Sequence, residues 1–165
     1  MPGDRCQQVE QWILQSNNPT DSYQQQQATR LLQEWSLSHD DVKSTLFQLL
    51  TSGNATEQVK FYALSSFGRL ELTESERNEL RNFLLSSFAS QTSFLCNKAA
   101  EILMQHVLLD SGSTWLTMGD DLLHLSNSNP PLFCKTIQTL LEGFVSDEAD
   151  ESQRVSARRV KDLLK

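Results

Sequence analysis

The sequence predicts an all-α protein, and three observations carry that prediction. Apolar residues recur at helical spacing through most of the 165 residues. Polar stretches interrupt this pattern at intervals of roughly 15 to 20 residues. No segment alternates apolar and polar residues for long enough to predict a strand. We therefore expect about nine helices joined by short loops.

The first four helices are predicted from the apolar pattern and from residues that begin or end helices. The first covers "DRCQQVEQWILQS" and ends at "NNPT". The second begins at Asp21, a typical N-cap, and covers "SYQQQQATRLLQEW". "LSHD" separates it from the third, "DVKSTLFQLL". "TSGNAT" then breaks the chain, and Thr56 is the predicted N-cap of the fourth helix, "EQVKFYALSSFGRL".

The remaining helices follow equally clear boundaries. Thr73 and Glu76 have the spacing of a capping box, in which a hydroxyl and a carboxylate satisfy backbone N–H groups at a helix start. The helix behind this box is "SERNELRNFLLSSF", and "FLCNKAAEILMQHVLL" follows it. "WLTMGDDLLHL" comes after "DSGST", and "LFCKTIQTLLEGFV" comes after the stop signal "SNSNPP". An acidic loop, "SDEADES", leads into the last helix, "QRVSARRVKDLLK".

The helix pairs repeat at about 35 to 45 residues, a period typical of helical-hairpin solenoids of the HEAT or armadillo kind. A compact helical bundle is the alternative on this ground alone. The chain ends in mid-pattern at "RRVKDLLK", without a Gly cap or a polar tail. Solenoids need a polar-faced terminal repeat, so we expect residues 1–165 to be a single domain that is a piece of a longer chain. The alternative is that the final helix is itself the cap.

The helix "EQVKFYALSSFGRL" is apolar around most of its circumference. In a solenoid such a helix contacts its hairpin partner on one side and adjacent repeats on others. We therefore expect this helix to face different neighbours with two sets of residues: Val59, Tyr62, Ala63 and Phe67 on one side, and Phe61, Leu64 and Gly68 on others. Lys60 is predicted to lie on a thin polar strip, where a partner would bind.

Charge and cysteine content exclude several classes of protein. The formal net charge of −7 disfavours a protein that wraps nucleic acid with its whole surface. Cys6, Cys96 and Cys134 are far apart and odd in number, which is typical of reduced thiols and not of a disulfide framework. No window reaches about 18 uninterrupted apolar residues, so we expect no insertion into a membrane.

The sequence carries no recognisable catalytic or metal-binding constellation. His39, His106 and His124 are far from all three cysteines in the sequence, so no Cys/His ligand spacing occurs. Asp120 and Asp121 are adjacent, so on a helix they point about 100° apart and are better suited to a solvated or capping role. Phosphate-binding glycine loops and the nucleophile elbow are absent from the sequence. We therefore predict neither enzymatic activity nor a cofactor.

One cationic cluster stands out in this acidic chain, close to its end. It comprises Arg154, Arg158, Arg159, Lys161 and Lys165. Arg154, Arg158 and Lys161 can share one helix face and contact phosphate groups along it. The alternative is an ordinary solvated helix face.

Three stretches, in fixed order, resemble the exportin branch of the importin-β-like nuclear transport receptors. "VKFYALSSF" is similar to a helix of the second repeat, where a V-x-F-[FY]-[AC]-L-like segment occurs. "RNFLLSSF" with "FLCNKAAEILMQHVL" is similar to the next hairpin, with its N-K-[AL]-A element at Asn97 to Ala100. "TWLTMGDDLLHLSNSNPPLFCKTIQTLLEGFVSDE" resembles the following hairpin. Most exportins have W-P-x-[FW] there, whereas Leu116 follows Trp115 here, with no Pro and no second Trp.

Within this branch the chain is most similar to the tRNA exportins. Their N-terminal region also has a K-F-[FY] helix, an N-K-A-A element, a lone Trp segment, an N-P break and an acidic loop before a basic helix. The resemblance extends from about residue 5 to residue 165. Sister exportins with other cargo remain an alternative.

The resemblance implies the N-terminal part of a right-handed superhelical stack of HEAT-type antiparallel hairpins, here about four repeats plus a terminal helix. It implies binding of the small GTPase Ran in its GTP form, tRNA as cargo, contacts with nucleoporins, and shuttling between nucleus and cytoplasm. GTP hydrolysis takes place on Ran, so the receptor itself is no enzyme. The alternative is a helical-repeat adaptor or scaffold outside transport that binds only protein partners.

The resemblance also implies which residues face these partners. In the resembling receptors the second helix of each hairpin faces Ran, and the corresponding segments here are 21–35, 55–70, 94–109 and 130–146. Their polar positions are the predicted Ran contacts: Gln27, Arg30, Glu34, Lys60, Asn97, Lys98 and Glu101. The predicted tRNA contacts are Arg154, Arg158, Arg159 and Lys161. For Asn97 and Lys98 the alternative is that they cap or bridge neighbouring helices.

Overall fold

A computed structural model describes residues 2–88, 92–110 and 113–145 of the chain. It contains eight helices in this range: α1 (Pro2–Ser16), α2 (Ser22–Ser38), α3 (Val42–Thr51), α4 (Glu57–Phe67), α5 (Glu74–Ser86), α6 (Ser93–Asp110), α7 (Met118–Ser128) and α8 (Pro130–Val145). The described residues contain no β-strand, which confirms the all-α prediction for them. The predicted last helix, over 153–165, lies outside the described residues.

The chain forms two compact units, the first of which is Met1–Leu70. In this unit α1 packs against α2, α3 and α4, and α3 also packs against α4. The interior is formed by apolar side chains that recur at helical spacing, including Val9, Ile13, Ala28, Leu32, Trp35, Leu46, Leu50, Val59, Ala63 and Leu64. Helix α1 is therefore the element around which the first unit is assembled.

The second unit is Glu71–Lys165. Helix α5 packs against α6 and α7, and α8 packs against the same two helices. The buried residues include Leu80, Leu84, Leu95, Ala99, Leu103, Val107, Trp115, Met118, Leu122, Leu125, Leu132 and Leu140. Cys96 is buried in this unit. The prediction of a single domain over 1–165 stays a prediction.

The predicted N-caps at Asp21 and Thr56 are confirmed. The Asp21 carboxylate accepts hydrogen bonds from the backbone N–H groups of Tyr23 and Gln24, at 3.1 and 3.0 Å. The Thr56 hydroxyl accepts one from the N–H of Val59, at 3.4 Å. Each side chain thus satisfies N–H groups that have no partner inside the helix.

The predicted capping box of α5 is also confirmed, and it provides a stability test. Thr73 Oγ1 accepts from the N–H of Glu76 at 3.3 Å, and Glu76 Oε2 accepts from the N–H of Thr73 at 2.7 Å. Thr73→Ala removes one of these bonds, and we expect the free energy of unfolding to fall by about 1 kcal/mol. Urea unfolding followed by circular dichroism measures the change. Ser75→Ala, in the same helical turn, is the control, and an equal loss in both variants would contradict a capping role.

The largest differences from the predicted helix boundaries are three residues, at the ends of α2 and α4 and at both ends of α7. Helix α2 continues to Ser38, past the predicted end at Trp35. The stretch after Trp35 contains neither Gly nor Pro, so nothing in it prevents the helix from continuing. Helix α7 begins at Met118, whereas the apolar pattern placed its start at Trp115. Trp115 lies instead in the turn before α7, where its backbone N–H bonds to the Asp110 carbonyl at 2.9 Å.

Candidate partner-binding surfaces

Three of the predicted Ran contacts share an exposed face of α2. Gln27, Arg30 and Glu34 are spaced three and four residues apart, so they lie along one side of the helix. Arg30 Nε donates to Glu34 Oε1 at 2.7 Å, and this hydrogen bond raises the pKa of Arg30. Because both side chains are well exposed, water competes for this ion pair and a partner can exchange for either member at small cost.

Three more predicted contacts lie near the start of α6. Asn97 and Glu101 are exposed, and Lys98 is half-buried. Lys98 Nζ lies 2.7 Å from Glu101 Oε2, so this lysine forms an ion pair within its own helix. The α6 surface therefore presents a positive and a negative group side by side, as the α2 face does.

Helix α4 differs from the expectation that its apolar residues all face neighbours. Phe61 is 38% exposed and Gly68 is also exposed, so these two residues are not enclosed between helices. Leu64 is fully buried, as predicted. The exposed ridge runs through Gln58, Phe61 and Gly68, at spacings of three and seven residues. Lys60 does not lie on this ridge and is half-buried.

The predicted tRNA contacts cannot be placed on a surface. Arg154, Arg158, Arg159 and Lys161 lie outside the described residues. Their assignment remains a prediction from the sequence and from the family resemblance.

A groove in the first unit is a further candidate surface. Its volume is about 520 Å³, and its walls come from α2 and α4, with α3 contributing to the lining. The residues that line it are Ser16, Asn17, Thr29, Leu32, Gln33, Trp35, Ser36, Leu37, Val42, Leu46, Tyr62, Ser66, Arg69 and Leu70. Half of them are apolar or aromatic, and the other half are polar or charged. We call this feature the α2–α4 groove.

The second unit contains a buried ion-pair network that the sequence analysis missed. Asp110, at the end of α6, accepts hydrogen bonds from two arginines of α5. Arg77 approaches both carboxylate oxygens, with Nε and Nη2 at 2.9 to 3.2 Å. Arg81 Nη1 lies 2.9 Å from Asp110 Oδ2. Arg81 is 3% exposed and Asp110 is 2% exposed, so these charges have left water and depend on each other.

The turn after α6 is attached to this network. The Thr114 hydroxyl donates to Asp110 Oδ1 at 3.0 Å, and the Arg81 guanidinium lies over the Trp115 ring, 4.4 Å from its centre. Trp115 Nε1 in turn donates to Asp121 at 2.7 Å. Burial disfavours ionisation of Asp110, but the hydrogen bonds from Arg77 and Thr114 outweigh it and lower its pKa. Asp110 is therefore the ionised centre of the network.

His106 lies one helical turn before Asp110 and is 3% exposed. Its Nδ1 atom is buried without a hydrogen-bond partner. Burial, together with the positive charge of Arg81, lowers the pKa of His106 to about 4. The imidazole is thus neutral at pH 7, which spares the interior a third positive charge beside Arg77 and Arg81.

This network is built to hold α5, α6 and the following turn together. Each oxygen of the Asp110 carboxylate already accepts two or more hydrogen bonds from the chain itself. Such a saturated carboxylate is poorly suited to act as a catalytic base or a metal ligand. One sequence signal could have revealed the network: Arg77 and Arg81 occupy the same stripe of α5 as the buried Leu80 and Leu84.

The described residues contain neither a metal-binding cluster nor a membrane-spanning helix. No group of three or more His, Cys, Asp or Glu side chains in residues 2–88, 92–110 and 113–145 is arranged to hold a metal ion. Over the same ranges, no helix combines the length and the apolar character needed to cross a membrane.

Comparisons of the chain with protein-family models, curated proteins and solved structures found no match. The assignment of function therefore depends on the residues themselves and on the surfaces they form.

Proposed function

We propose that the chain is the N-terminal part of a nuclear export receptor of the exportin branch, most similar to exportin-t, the tRNA exportin. In this role it binds Ran in the GTP form, contributes to tRNA binding, and shuttles between nucleus and cytoplasm. The sequence support is the ordered series of motifs, in which "VKFYALSSF" lies on α4 and the N-K-A-A element, Asn97 to Ala100, lies on α6.

The structural observation that supports the proposal is which helices pack against each other in the second unit. Consecutive helices pair, α5 with α6 and α7 with α8, and the corresponding helices of the two pairs also pack, α5 on α7 and α6 on α8. Two stacked hairpins of a HEAT-type superhelix have these neighbours. A simple up-and-down four-helix bundle would instead depend on contacts of α6 with α7 and of α5 with α8.

The Ran contacts that we propose lie on the second helix of each pair. On α2 they are Gln27, Arg30 and Glu34, on α4 Lys60, and on α6 Asn97, Lys98 and Glu101. The ion pairs Arg30–Glu34 and Lys98–Glu101 give α2 and α6 a group of each sign. Rim charges of this kind contribute mainly to the rate and specificity of association.

A nucleotide-dependent pull-down tests the Ran proposal. We expect the full chain to retain Ran loaded with a non-hydrolysable GTP analogue and not Ran loaded with GDP. The double variant Arg30→Glu and Lys98→Glu is expected to weaken this binding about 10-fold. Arg69→Glu reverses a single charge elsewhere and is expected to leave the binding of GTP-loaded Ran unchanged. A correctly folded chain that retains GTP-loaded and GDP-loaded Ran equally would contradict the proposal. A correctly folded chain that retains neither form would also contradict it.

An electrophoretic shift with tRNA tests the cargo contacts. We expect binding that weakens as salt rises, because lysines and arginines that contact phosphates release bound counterions. Replacing Arg154, Arg158 and Arg159 together by Glu is expected to abolish the shift. Arg5→Glu, Arg30→Glu and Arg69→Glu combined change the net charge equally and serve as the control. A shift that survives the first triple variant would remove these arginines from the proposed cargo site.

A second candidate function is a helical-repeat adaptor that binds only protein partners. The α2–α4 groove favours it, because a half-apolar groove is suited to a protein segment and needs no nucleotide. Binding of a protein segment in this groove, combined with no response to Ran or tRNA, would favour the adaptor over the export receptor.

A further inference from the structure

We propose that the α2–α4 groove binds an amphipathic helix of a partner protein, one that presents a short apolar stripe bordered by an acidic residue. This inference is independent of Ran and tRNA binding. It rests on the shape, the lining and the charge of a groove that belongs wholly to the first unit.

Apolar side chains line the groove at both buried and exposed positions. Leu32, Trp35 and Leu46 are buried side chains that also line the groove. Leu37, at its edge, is 87% exposed and is the most exposed large apolar side chain that the described residues contain. Apolar residues placed from floor to edge match the anchors of a bound helix, which recur every three to four residues.

The polar groups around the groove are mostly satisfied within the chain. Ser36 Oγ donates to the carbonyl of Gln33 at 2.9 Å. Ser16 Oγ and Asn17 Nδ2 donate to the carbonyl of Ile13 at 2.8 and 3.0 Å. The Trp35 indole N–H donates to Asp41 at 3.1 Å. These groups therefore keep their hydrogen bonds when an apolar partner displaces water from the groove.

Arg69 determines the charge of the partner. It is the one residue in the groove lining with a full charge, and it is exposed just beyond the end of α4. The guanidinium favours a carboxylate on the incoming segment, because an Arg–carboxylate pair forms strong, directional hydrogen bonds. An acidic residue at the border of the apolar stripe meets this requirement.

The walls of the groove determine the conformation of the partner. Both walls are helices, whose central N–H and C=O groups are already paired, so the groove offers no strand edge for an extended peptide. A helix satisfies its own backbone and needs only side-chain contacts. The volume of about 520 Å³ lies in the range of specific binding pockets.

Fluorescence anisotropy with designed peptides tests the proposal on the full chain. The probes are fluorescein-labelled peptides that form amphipathic helices with an apolar stripe. Each peptide of the series carries one Glu, placed at a different position beside the stripe. A matched series carries Lys in place of this Glu. We expect at least one Glu peptide to bind in the micromolar range and its Lys counterpart to bind about 10-fold more weakly.

Two variants locate the binding. Leu37→Glu is expected to weaken the Glu peptide about 10-fold or more, whereas Leu116→Glu, at a leucine that is 84% exposed in the second unit, is expected to have no effect. Arg69→Glu is expected to reverse the preference, so that the Lys peptide binds more tightly. Arg30→Glu is the matched control. All four variants are exposed, and circular dichroism checks that they fold.

Three results would overturn the proposal. The first is that no peptide binds, and the second is that binding is unaffected by Leu37→Glu and Arg69→Glu. The third is a concentration-dependent dimer that Leu37→Glu abolishes, which would assign the groove to a second copy of the chain. Loss of peptide binding in Arg69→Glu with intact binding to GTP-loaded Ran separates this proposal from the export function.

Discussion

Replacing Asp110 by Ala is expected to lower the free energy of unfolding of the second unit by about 3 to 5 kcal/mol. The carboxylate is the common partner of Arg77 and Arg81, and the pair with Arg81 is almost fully buried. Without it, the buried Arg81 guanidinium loses its countercharge in a region that excludes water, and the partly exposed Arg77 guanidinium remains close to it. Urea unfolding of the full chain, followed by circular dichroism and Trp fluorescence, measures the loss.

Two further variants show whether the loss comes from the unpaired charges. Asp120→Ala removes an exposed carboxylate from α7 and is expected to change stability very little. Replacing Arg77, Arg81 and Asp110 together by Met, Met and Leu removes all three charges, and is expected to recover much of the stability lost in Asp110→Ala. A triple variant as unstable as Asp110→Ala would show that the network stabilises the unit through its hydrogen-bond geometry.

Acid is expected to destabilise the protein through His106, by about 3 kcal/mol between pH 6.5 and pH 4. The pKa of His106 is about 4 in the folded chain, against an ordinary value of 6.5. Between these values the unfolded chain binds a proton that the folded chain does not. The contribution of neutral His106 to the free energy of unfolding is therefore fully present above pH 6.5, and it declines as the pH falls towards 4. Asp110, whose pKa is lowered from 3.8, adds a further loss at lower pH.

His106→Leu tests this origin of the acid sensitivity. Leucine does not titrate and places no unpaired Nδ1 in the interior, so the stability is expected to become nearly constant between pH 6.5 and 4. His124→Leu changes an exposed histidine of α7 and is the matched control, expected to keep the wild-type slope. Urea unfolding at several pH values measures both profiles. A wild-type slope in His106→Leu would assign the acid loss to other groups.

Helix positions could be predicted because they depend on local signals. Asp21, Thr56 and Thr73 cap helices as expected, since an N-cap bonds only to residues two or three positions ahead. The end of α2 was missed because the residues after Trp35 permit both helix and loop, and packing decides between them. The start of α7 was missed because an apolar periodicity does not reveal that Trp115 lies in a turn.

The surfaces were less predictable, for a different reason. Arg81 and Asp110 are separated by 29 residues, and no periodicity relates two positions so far apart. The stripe that Arg77 and Arg81 share with Leu80 and Leu84 indicates which way the arginines face, but it does not identify Asp110 as their partner. Phe61 was expected to face a neighbouring helix because α4 is apolar around most of its circumference, whereas the exposure of Phe61 depends on which helices α4 packs against.

The position of Asp110 has a consequence for how the second unit folds. Its backbone carbonyl accepts the N–H groups of Ser113, Thr114 and Trp115, while its side chain closes a contact with Arg77, 33 residues earlier in the chain. Asp110 thus takes part both in contacts with residues close to it in the sequence and in a contact with a residue 33 positions away. The turn before α7 cannot reach its final form until α5 has docked, so we expect α5, α6 and this turn to form in a single cooperative step.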